Sequence, residues 1–286
     1  MGLWAASFAA VVLGASTLFF IVAFVAIEAA PAARDAHNLW GLLVARPWEP
    51  FADPPSYGIL HAWVSTLMVT VIALALAVPA ALGVAVFAAE IAPPFIRNIL
   101  QPCLELLAGI PSVVYGFFGA VTLVPWFEAR FEMATGESIL VAALILAVMV
   151  LPFVASTSAE ALRSVPPALR EAGYALGVTR WHVTSRVVMR RALPGIFSAV
   201  ALGLARAIGE ALAVLILTGN STAVPESALD RGQPITALIL TELGEAGVGS
   251  EKYHALFAAG ALLVVVTVVI NLLIWSLKRR MLPSHG

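Results

Sequence analysis

The chain has 286 residues, of which 61% are hydrophobic and only 12% are charged, and its formal net charge is −1. Average soluble proteins carry about 25% charged residues, so this composition excludes an ordinary soluble protein and predicts one that crosses a membrane several times. The near-neutral charge gives no indication of nucleic-acid binding. The single cysteine, Cys103, excludes a disulfide within these residues and any metal site built from several cysteines.

The first apolar stretch, residues 3–27, contains no charged residue. It is longer than the about 20 residues that cross a hydrocarbon core of ~30 Å. A signal peptide is the alternative interpretation, because small residues follow the stretch. No Lys or Arg precedes it and it exceeds the usual length of a signal sequence, so a retained helix is favoured. Five further spans are predicted over residues 60–89, 98–127, 139–158, 193–218 and 255–277.

Two of these predicted spans contain helix-breaking residues. Pro79 predicts a kink in the second span. The run Gly109-Ile110-Pro111-Ser112 predicts a break in the third, and backbone groups freed there must line a cavity or find partners on neighbouring helices. Residues 219–254 form a long loop before the last span, in which residues 235–243 predict a short interfacial helix.

The distribution of Lys and Arg predicts the orientation, because cytoplasmic loops carry an excess of these residues. The loop between the fourth and fifth spans holds six arginines, and three basic residues follow the last span. Five basic residues are spread over the opposite side. Both termini are therefore predicted to face the cytoplasm.

The loop between the fourth and fifth spans has the pattern of two short helices joined by a turn. Ser164 and the pair Pro166-Pro167 favour a helix start. Gly177 suits the left-handed residue that ends this helix, and Thr179 is a good cap for a second short helix over residues 180–191. Spacing alone leaves two interpretations open: a docking element for a soluble motor, or a basic loop that only fixes the topology.

Charged residues inside the predicted spans are the candidate functional residues, because an Arg at a helix centre costs about 2.5–3.5 kcal/mol to insert. Arg206 lies about 20 Å along the fifth span at about 1.5 Å per residue, and Glu210 is expected one turn later on the same helix face. One interpretation is a self-neutralising pair, with Glu105 of the third span as a further partner. The other is that Arg206 offers its planar fork to an oxyanion while Glu210 orients it.

The sequence has no G-x-x-x-x-G-K-[ST] phosphate loop, so these residues do not contain that machinery for using ATP. The histidines have no spacing typical of metal ligands. We see no arrangement of a nucleophile with a general base. The chain is therefore expected to provide a pathway and not to catalyse covalent chemistry.

The triplet Glu171-Ala172-Gly173, followed by Gly177, resembles the EAA signature of the membrane subunits of bacterial ABC importers. In many members this element closes with Leu-Pro, whereas Met189-Arg190 stand at the corresponding place here and Leu193-Pro194 come four residues later. This difference leaves open the length of the second of the two short helices, predicted over residues 180–191.

Three further runs resemble the permeases of the phosphate-specific importer: residues 109–116, GIPSVVYG; residues 205–210, ARAIGE; and residues 219–221, GNS. The long first outer loop, residues 242–246 and the last span are more similar to its PstC-type permease than to its PstA-type partner. The resemblance covers nearly the whole chain from about residue 40 onward.

This resemblance implies an all-α membrane protein, a polytopic bundle of six transmembrane helices with cytoplasmic coupling helices at about residues 160–192, as in a type I ABC importer permease. It implies a first transmembrane helix with its outer loop, residues 1–58, and a permease transmembrane domain, residues 59–286. The candidate pathway residues are the charges inside the predicted spans, Arg206, Glu210 and Glu105, of which the resemblance covers Arg206 and Glu210. The residues that the resemblance places at the ATPase contact are Glu171, Ala172, Gly173 and Gly177.

The implied function is ATP-driven import of inorganic phosphate across the bacterial inner membrane, the phosphate being delivered by an external binding protein. The implied partners are a second, PstA-type permease and a dimer of ATP-binding subunits, which carry the ATP and Mg²⁺; no cofactor and no enzyme activity is expected of this chain. Sulfate or molybdate remains an alternative substrate, because one Arg does not distinguish oxyanions. An ion-coupled carrier or channel, and a non-conducting membrane scaffold or sensor, are further alternatives.

Overall fold

The computed structural model describes residues 2–33, 40–45 and 47–281, and almost all of its regular structure is helical. Between the first two long helices, β1 (Trp48–Glu49) and β2 (Ser56–Tyr57) form a small antiparallel sheet in which Trp48 pairs with Tyr57. The helices are α1 (Gly2–Ala33), α2 (Leu60–Ile91), α3 (Pro94–Gly109), α4 (Ser112–Phe131), α5 (Ile139–Arg163), α6 (Pro167–Ala175), α7 (Arg180–Gly209), α8 (Leu212–Leu217), α9 (Ile235–Glu242) and α10 (Glu251–Met281).

Six helices in the described part of the chain are long and apolar enough to cross a membrane: α1, α2, α4, α5, α7 and α10. The predicted number of spans is therefore confirmed for these residues. Helix α5 lies at the centre, where it packs against α2, α3, α4 and α7. Most of its apolar side chains are buried.

Small residues bring the central helices close together. Ala73, Ala77, Ala81 and Ala85 recur at every fourth position of α2 and are almost completely buried. Such a stripe lets two helix backbones approach closely, and this is how membrane helices gain packing without help from water. On α7, a Cβ on Gly203 would lie 2.6 Å from Val154 Cγ2 of α5, so a larger residue there would force the packing of the two helices to shift.

The predicted break at residues 109–112 is confirmed. Helix α3 ends at Gly109, Ile110 and Pro111 have extended backbones, and α4 starts at Ser112. Of these two helices only α4 is long and apolar enough to cross a membrane, so the third crossing starts at Ser112 and the bounds predicted for it, residues 98–127, are wrong. Across the break, the Tyr115 hydroxyl donates a hydrogen bond of 2.9 Å to the Leu107 carbonyl oxygen. This bond gives a partner to one of the backbone acceptors at the end of α3.

The predicted bounds of the fifth span, residues 193–218, are wrong at both ends. Helix α7 begins at Arg180 and runs without interruption through Pro194, so the second coupling helix and the span are one element. Ala192 and Ile196, on either side of Pro194, are buried in one apolar cluster with Leu162 of α5. This packing keeps the helix continuous although proline removes a backbone hydrogen bond. At the other end, α7 stops at Gly209.

Helices α1 and α10 form a layer beside the central bundle. The Phe24 ring packs edge-on against Phe257 at 5.5 Å between centroids, and His254 Nδ1 lies 2.8 Å from the Glu28 carbonyl oxygen. Most other apolar side chains of α1 are exposed, which leaves them free to contact lipid or another subunit. Helix α9 occupies most of the predicted interfacial segment, and its Ile235 and Leu238 are fully buried.

Candidate translocation site and coupling surface

Arg206 lies near the end of α7, 26 positions after Arg180. At about 1.5 Å per residue this places it ~39 Å along the helix. Its guanidinium carbon is 4.2 Å from the centre of the Phe153 ring of α5, a cation–π contact. Its Nε is buried and has no hydrogen-bond partner among the described residues, and none of their carboxylates lies within ion-pair distance of it. The guanidinium is thus held in place with hydrogen-bonding capacity unused.

Glu210 does not continue the α7 helix, so the prediction that it shares a helix face with Arg206 is wrong. Its backbone is extended, with φ −71° and ψ 128°. Glu210 Oε1 accepts a hydrogen bond of 3.3 Å from the Ala213 amide, in the first turn of α8. The Thr236 hydroxyl of α9 donates to the Glu210 carbonyl oxygen at 2.6 Å. The carboxylate caps α8 and forms no ion pair with Arg206, which removes the interpretation of a self-neutralising pair.

Glu105 lies apart from this arrangement. It is an exposed residue of α3, where its carboxylate accepts a hydrogen bond of 3.4 Å from Gln101 Nε2. It lines an open groove beside the α3–α4 break together with Pro102, Leu106 and Pro111. The structure does not bring Glu105 within ion-pair distance of Arg206, so its expected pathway role stays a prediction.

Helices α4 and α8, each of which directly follows a helix break, pack against each other. A Cβ on Gly116 of α4 would lie 2.9 Å from Ile216 Cδ1 and 3.2 Å from Ala213 Cα, both in α8. Tyr115 and Ala207 belong to the same buried cluster as Ala213. Two helix interruptions therefore meet next to the arginine-bearing end of α7. The sequence analysis included Tyr115 in the run of residues 109–116 but missed Phe153 and Thr236 as members of this region, because nothing in their local sequence distinguishes them from core residues.

The coupling segment has the predicted turn and cap. Helix α6 is followed by Gly177, whose φ of +73° is the left-handed conformation that favours glycine. Thr179 Oγ1 accepts a hydrogen bond of 3.3 Å from the His182 amide at the start of α7. Gly173 is buried against α7, since a Cβ there would lie 2.9 Å from Val183 Cγ2. The signature glycines thus fix the angle between α6 and α7.

The outward side of the same segment is apolar. Glu171 and Ala172 are exposed, and the side chains of Leu176 and Trp181 are 82% and 66% exposed. Exposed apolar side chains rimmed by charges are typical of a protein contact. We call this surface, made of Glu171, Ala172, Tyr174, Leu176 and Trp181, the coupling surface.

A buried acidic residue just beyond the predicted end of the second span, residue 89, ties the coupling segment to α2. Glu90 Oε1 lies 2.8 Å from Arg170 Nη2, and their side chains are only 7% and 19% exposed. Arg170 Nη2 also donates to the Leu162 carbonyl oxygen at 2.8 Å, and the Arg180 guanidinium donates to the Glu90 carbonyl oxygen. The ends of α2, α5, α6 and α7 therefore meet around the side chain of Arg170 and the carboxylate and backbone carbonyl of Glu90.

Comparison with known proteins identifies relatives of this chain. The chain is 41% identical over 238 residues to the probable ABC transporter permease protein YqgH of Bacillus subtilis, covering 83% of this chain and 77% of that protein. It is 31% identical over 290 residues to the phosphate transport system permease protein PstC of Haemophilus influenzae, covering 94% and 91%. The PstC protein of Xylella fastidiosa (strain Temecula1) is 33% identical over 296 residues, covering 94% and 90%.

Two solved structures share the fold. One is a bacterial ABC transporter involved in the import of the acidic polysaccharide alginate, with a TM-score of 0.58 at 19% identity over 98% of this chain and 99% of that one. The other is the MetNI methionine ABC transporter in an inward-facing conformation, with a TM-score of 0.58 at 20% identity over 79% and 94%. Residues 81–283 match the family model for the binding-protein-dependent transport system inner membrane component. The chain therefore belongs to this family of multi-pass membrane permeases.

Proposed function

We propose that this chain is the permease subunit of an ATP-driven importer that moves inorganic phosphate into the cytoplasm. The observation that carries the proposal is Arg206, a permanent cation inside a membrane bundle with no carboxylate partner among the described residues. An arginine is costly to insert into a membrane and is retained where it serves a substrate or a pathway. The PstC relatives, whose names specify phosphate transport, supply the identity of the oxyanion.

In this proposal the coupling surface receives an ATP-binding subunit. Helix α7 is one continuous element from Arg180 to Gly209, so a displacement of the coupling surface reaches Arg206 without an intervening loop. The Arg170–Glu90 pair carries the same displacement to α2. The helix bundle has two arrangements, which differ in the side of the membrane from which phosphate can reach Arg206. Closure of the ATP-binding dimer shifts the population from one arrangement to the other.

The remaining partners follow from the same proposal. A second permease, of the PstA type, completes the pathway, and an external phosphate-binding protein delivers the substrate to the side opposite the coupling surface. Both termini of this chain then face the cytoplasm, as the distribution of Lys and Arg predicts. ATP and Mg²⁺ bind to the ATP-binding subunits, and this chain contributes the route and its gate.

Substrate-stimulated ATP hydrolysis tests the proposal. The complete transporter, reconstituted in vesicles with its binding protein, is given phosphate, sulfate or molybdate in turn. We expect phosphate alone to stimulate ATP hydrolysis, with uptake that depends on ATP. Stimulation by sulfate or molybdate in place of phosphate would assign another oxyanion. Anion flux through the purified chain without ATP would establish a channel or carrier instead.

A further inference from the structure

An open groove runs between α7 and α10 on the outside of the bundle. Its walls are mainly apolar and come from Ala201 and Leu202 of α7 and from Val268, Leu272 and Trp275 of α10. Leu202 is 61% exposed. The polar Asn271 within the groove is satisfied, because its Nδ2 donates to the Thr267 carbonyl oxygen at 2.8 Å. The groove therefore offers a mainly apolar surface.

The length of the groove matches one leaflet of a bilayer. Along α10 it extends from Thr267 to Lys278, a separation of 11 positions, or ~16 Å at about 1.5 Å per residue. Half of a hydrocarbon core of ~30 Å is about 15 Å. With the predicted orientation, the Lys278 end lies at the cytoplasmic surface and the Thr267 end near the bilayer centre.

Lys278 lines the surface end of the groove, and two arginines stand near that end on the same two helices. Lys278 Nζ donates to Ser198 Oγ at 3.0 Å, and no carboxylate in the described part of the chain lies within ion-pair distance of it. The Arg279 guanidinium carbon is 3.8 Å from the centre of the Trp275 ring. Arg191 is exposed and stands seven positions before Ser198, two helical turns away on the same face of α7. One end of the groove is thus cationic and the rest is apolar.

We propose that this groove binds one acyl chain of an anionic phospholipid of the cytoplasmic leaflet, with the lipid phosphate at Lys278. The acyl chain lies against Leu202 and Leu272, while Arg191 and Arg279 flank the head group. Basic pockets between transmembrane helices on the cytoplasmic side bind anionic lipid head groups in this way. A zwitterionic lipid of the same chain length lacks the net negative charge that would match these cations. The lipid would brace α7, the helix that carries Arg206, against α10.

Native mass spectrometry of the assembled transporter tests this site. The complex is titrated with phosphatidylglycerol or with phosphatidylcholine of the same acyl chains. We expect the wild-type complex to retain one more bound lipid molecule when it is titrated with phosphatidylglycerol than when it is titrated with phosphatidylcholine. Lys278→Gln should weaken this retention about fivefold, the effect of one basic side chain near an anionic surface. Leu202→Trp, which fills the apolar wall and keeps every charge, should also reduce it.

Arg190→Gln is the matched control, because it removes one positive charge on the adjacent face of α7, about 100° around the helix from Arg191. It should retain the bound lipid. Equal retention of the two lipids, or unchanged retention in both Lys278→Gln and Leu202→Trp, would overturn the proposal. Displacement of the lipid by excess inorganic phosphate would assign a free-anion site instead. Crosslinking from Leu202→Cys to the second permease would show that the groove is a subunit interface.

Discussion

Arg170 and Glu90 stand 80 positions apart in the sequence and form an ion pair of 2.8 Å between Nη2 and Oε1. The pair joins α6, which carries part of the coupling surface, to the last turn of α2. The same Glu90 also accepts, through its carbonyl oxygen, a hydrogen bond from Arg180 at the start of α7. One acidic residue therefore connects the coupling segment to two helices of the bundle.

Glu90→Gln should uncouple ATP hydrolysis from transport. Removing one partner of a buried ion pair costs about 3–5 kcal/mol, and less here because the Arg170 side chain is 19% exposed. We expect the stimulation of ATP hydrolysis by substrate to fall about tenfold, within the about 5–150-fold range of coupling between sites. The measurement is the ratio of stimulated to basal ATP hydrolysis in the reconstituted complex.

Glu137→Gln is the control for this variant. Glu137 pairs with Arg231 at 3.8 Å, and both side chains are substantially exposed. Exposed pairs contribute about 0–1 kcal/mol, so the ratio should stay close to that of the wild type. A Glu90→Gln complex with the wild-type ratio would show that the Arg170–Glu90 pair does not transmit the displacement.

Gly177→Val should weaken the attachment of the ATP-binding subunits, whereas Gly177→Asn should not. A Cβ at this position meets no atom within 4 Å, so any effect comes from the backbone, whose φ is +73°. For ordinary residues the left-handed conformation costs about 1–2 kcal/mol, while Asn tolerates it. Co-purification of the ATP-binding subunit with each variant measures the effect. Equal recovery with Val and Asn would mean that the turn conformation does not determine docking.

Glu210→Ala should destabilise the complex more than Glu210→Gln. Both variants remove the same charge, but Gln keeps an oxygen that can accept the hydrogen bond from the Ala213 amide. Losing a helix cap costs about 1 kcal/mol, which corresponds to a fall of about 2–4 °C in Tm for a chain of this size. Thermal unfolding of the purified complex gives the comparison. An equal fall in Tm for the two variants would show that the loss of charge causes the effect and would contradict the capping role.

Local sequence was sufficient to predict several of these features. Gly109 and Pro111 mark the break between α3 and α4, Gly177 marks the left-handed residue and Thr179 the helix cap. In each case the residue type itself restricts the backbone or supplies the hydrogen-bond acceptor, so no knowledge of distant contacts is needed. The six spans were predictable for a similar reason, because each must be long and apolar.

The features that depend on distant partners were not predictable from one sequence. The sequence analysis separated a short helix ending at residue 191 from a span starting at residue 193, but buried neighbours on both sides of Pro194 hold α7 continuous. Glu210 was expected to continue the helix of Arg206, but hydrogen bonds from the Ala213 amide and the Thr236 hydroxyl hold it in an extended conformation. Tertiary contacts override local propensity in both cases. The Arg170–Glu90 pair is likewise formed by segments far apart in the chain.

The proposed function depends most on Arg206 as the residue that meets the oxyanion. Arg206→Gln removes the cation, while Arg206→Lys keeps a charge but loses the planar fork that matches two oxygens at once. Each variant should still assemble with its partner subunits, as size-exclusion chromatography would show, since no carboxylate among the described residues depends on this guanidinium.

Uptake of radiolabelled phosphate by vesicles that contain the assembled complex is the most direct measurement. We expect Arg206→Gln to reduce uptake at least about 30-fold, which corresponds to the about 2–5 kcal/mol lost when one partner of a buried charge pair is removed. Arg206→Lys should retain an intermediate rate. Wild-type uptake by an assembled Arg206→Gln complex would contradict the proposal that this arginine binds the substrate in the pathway.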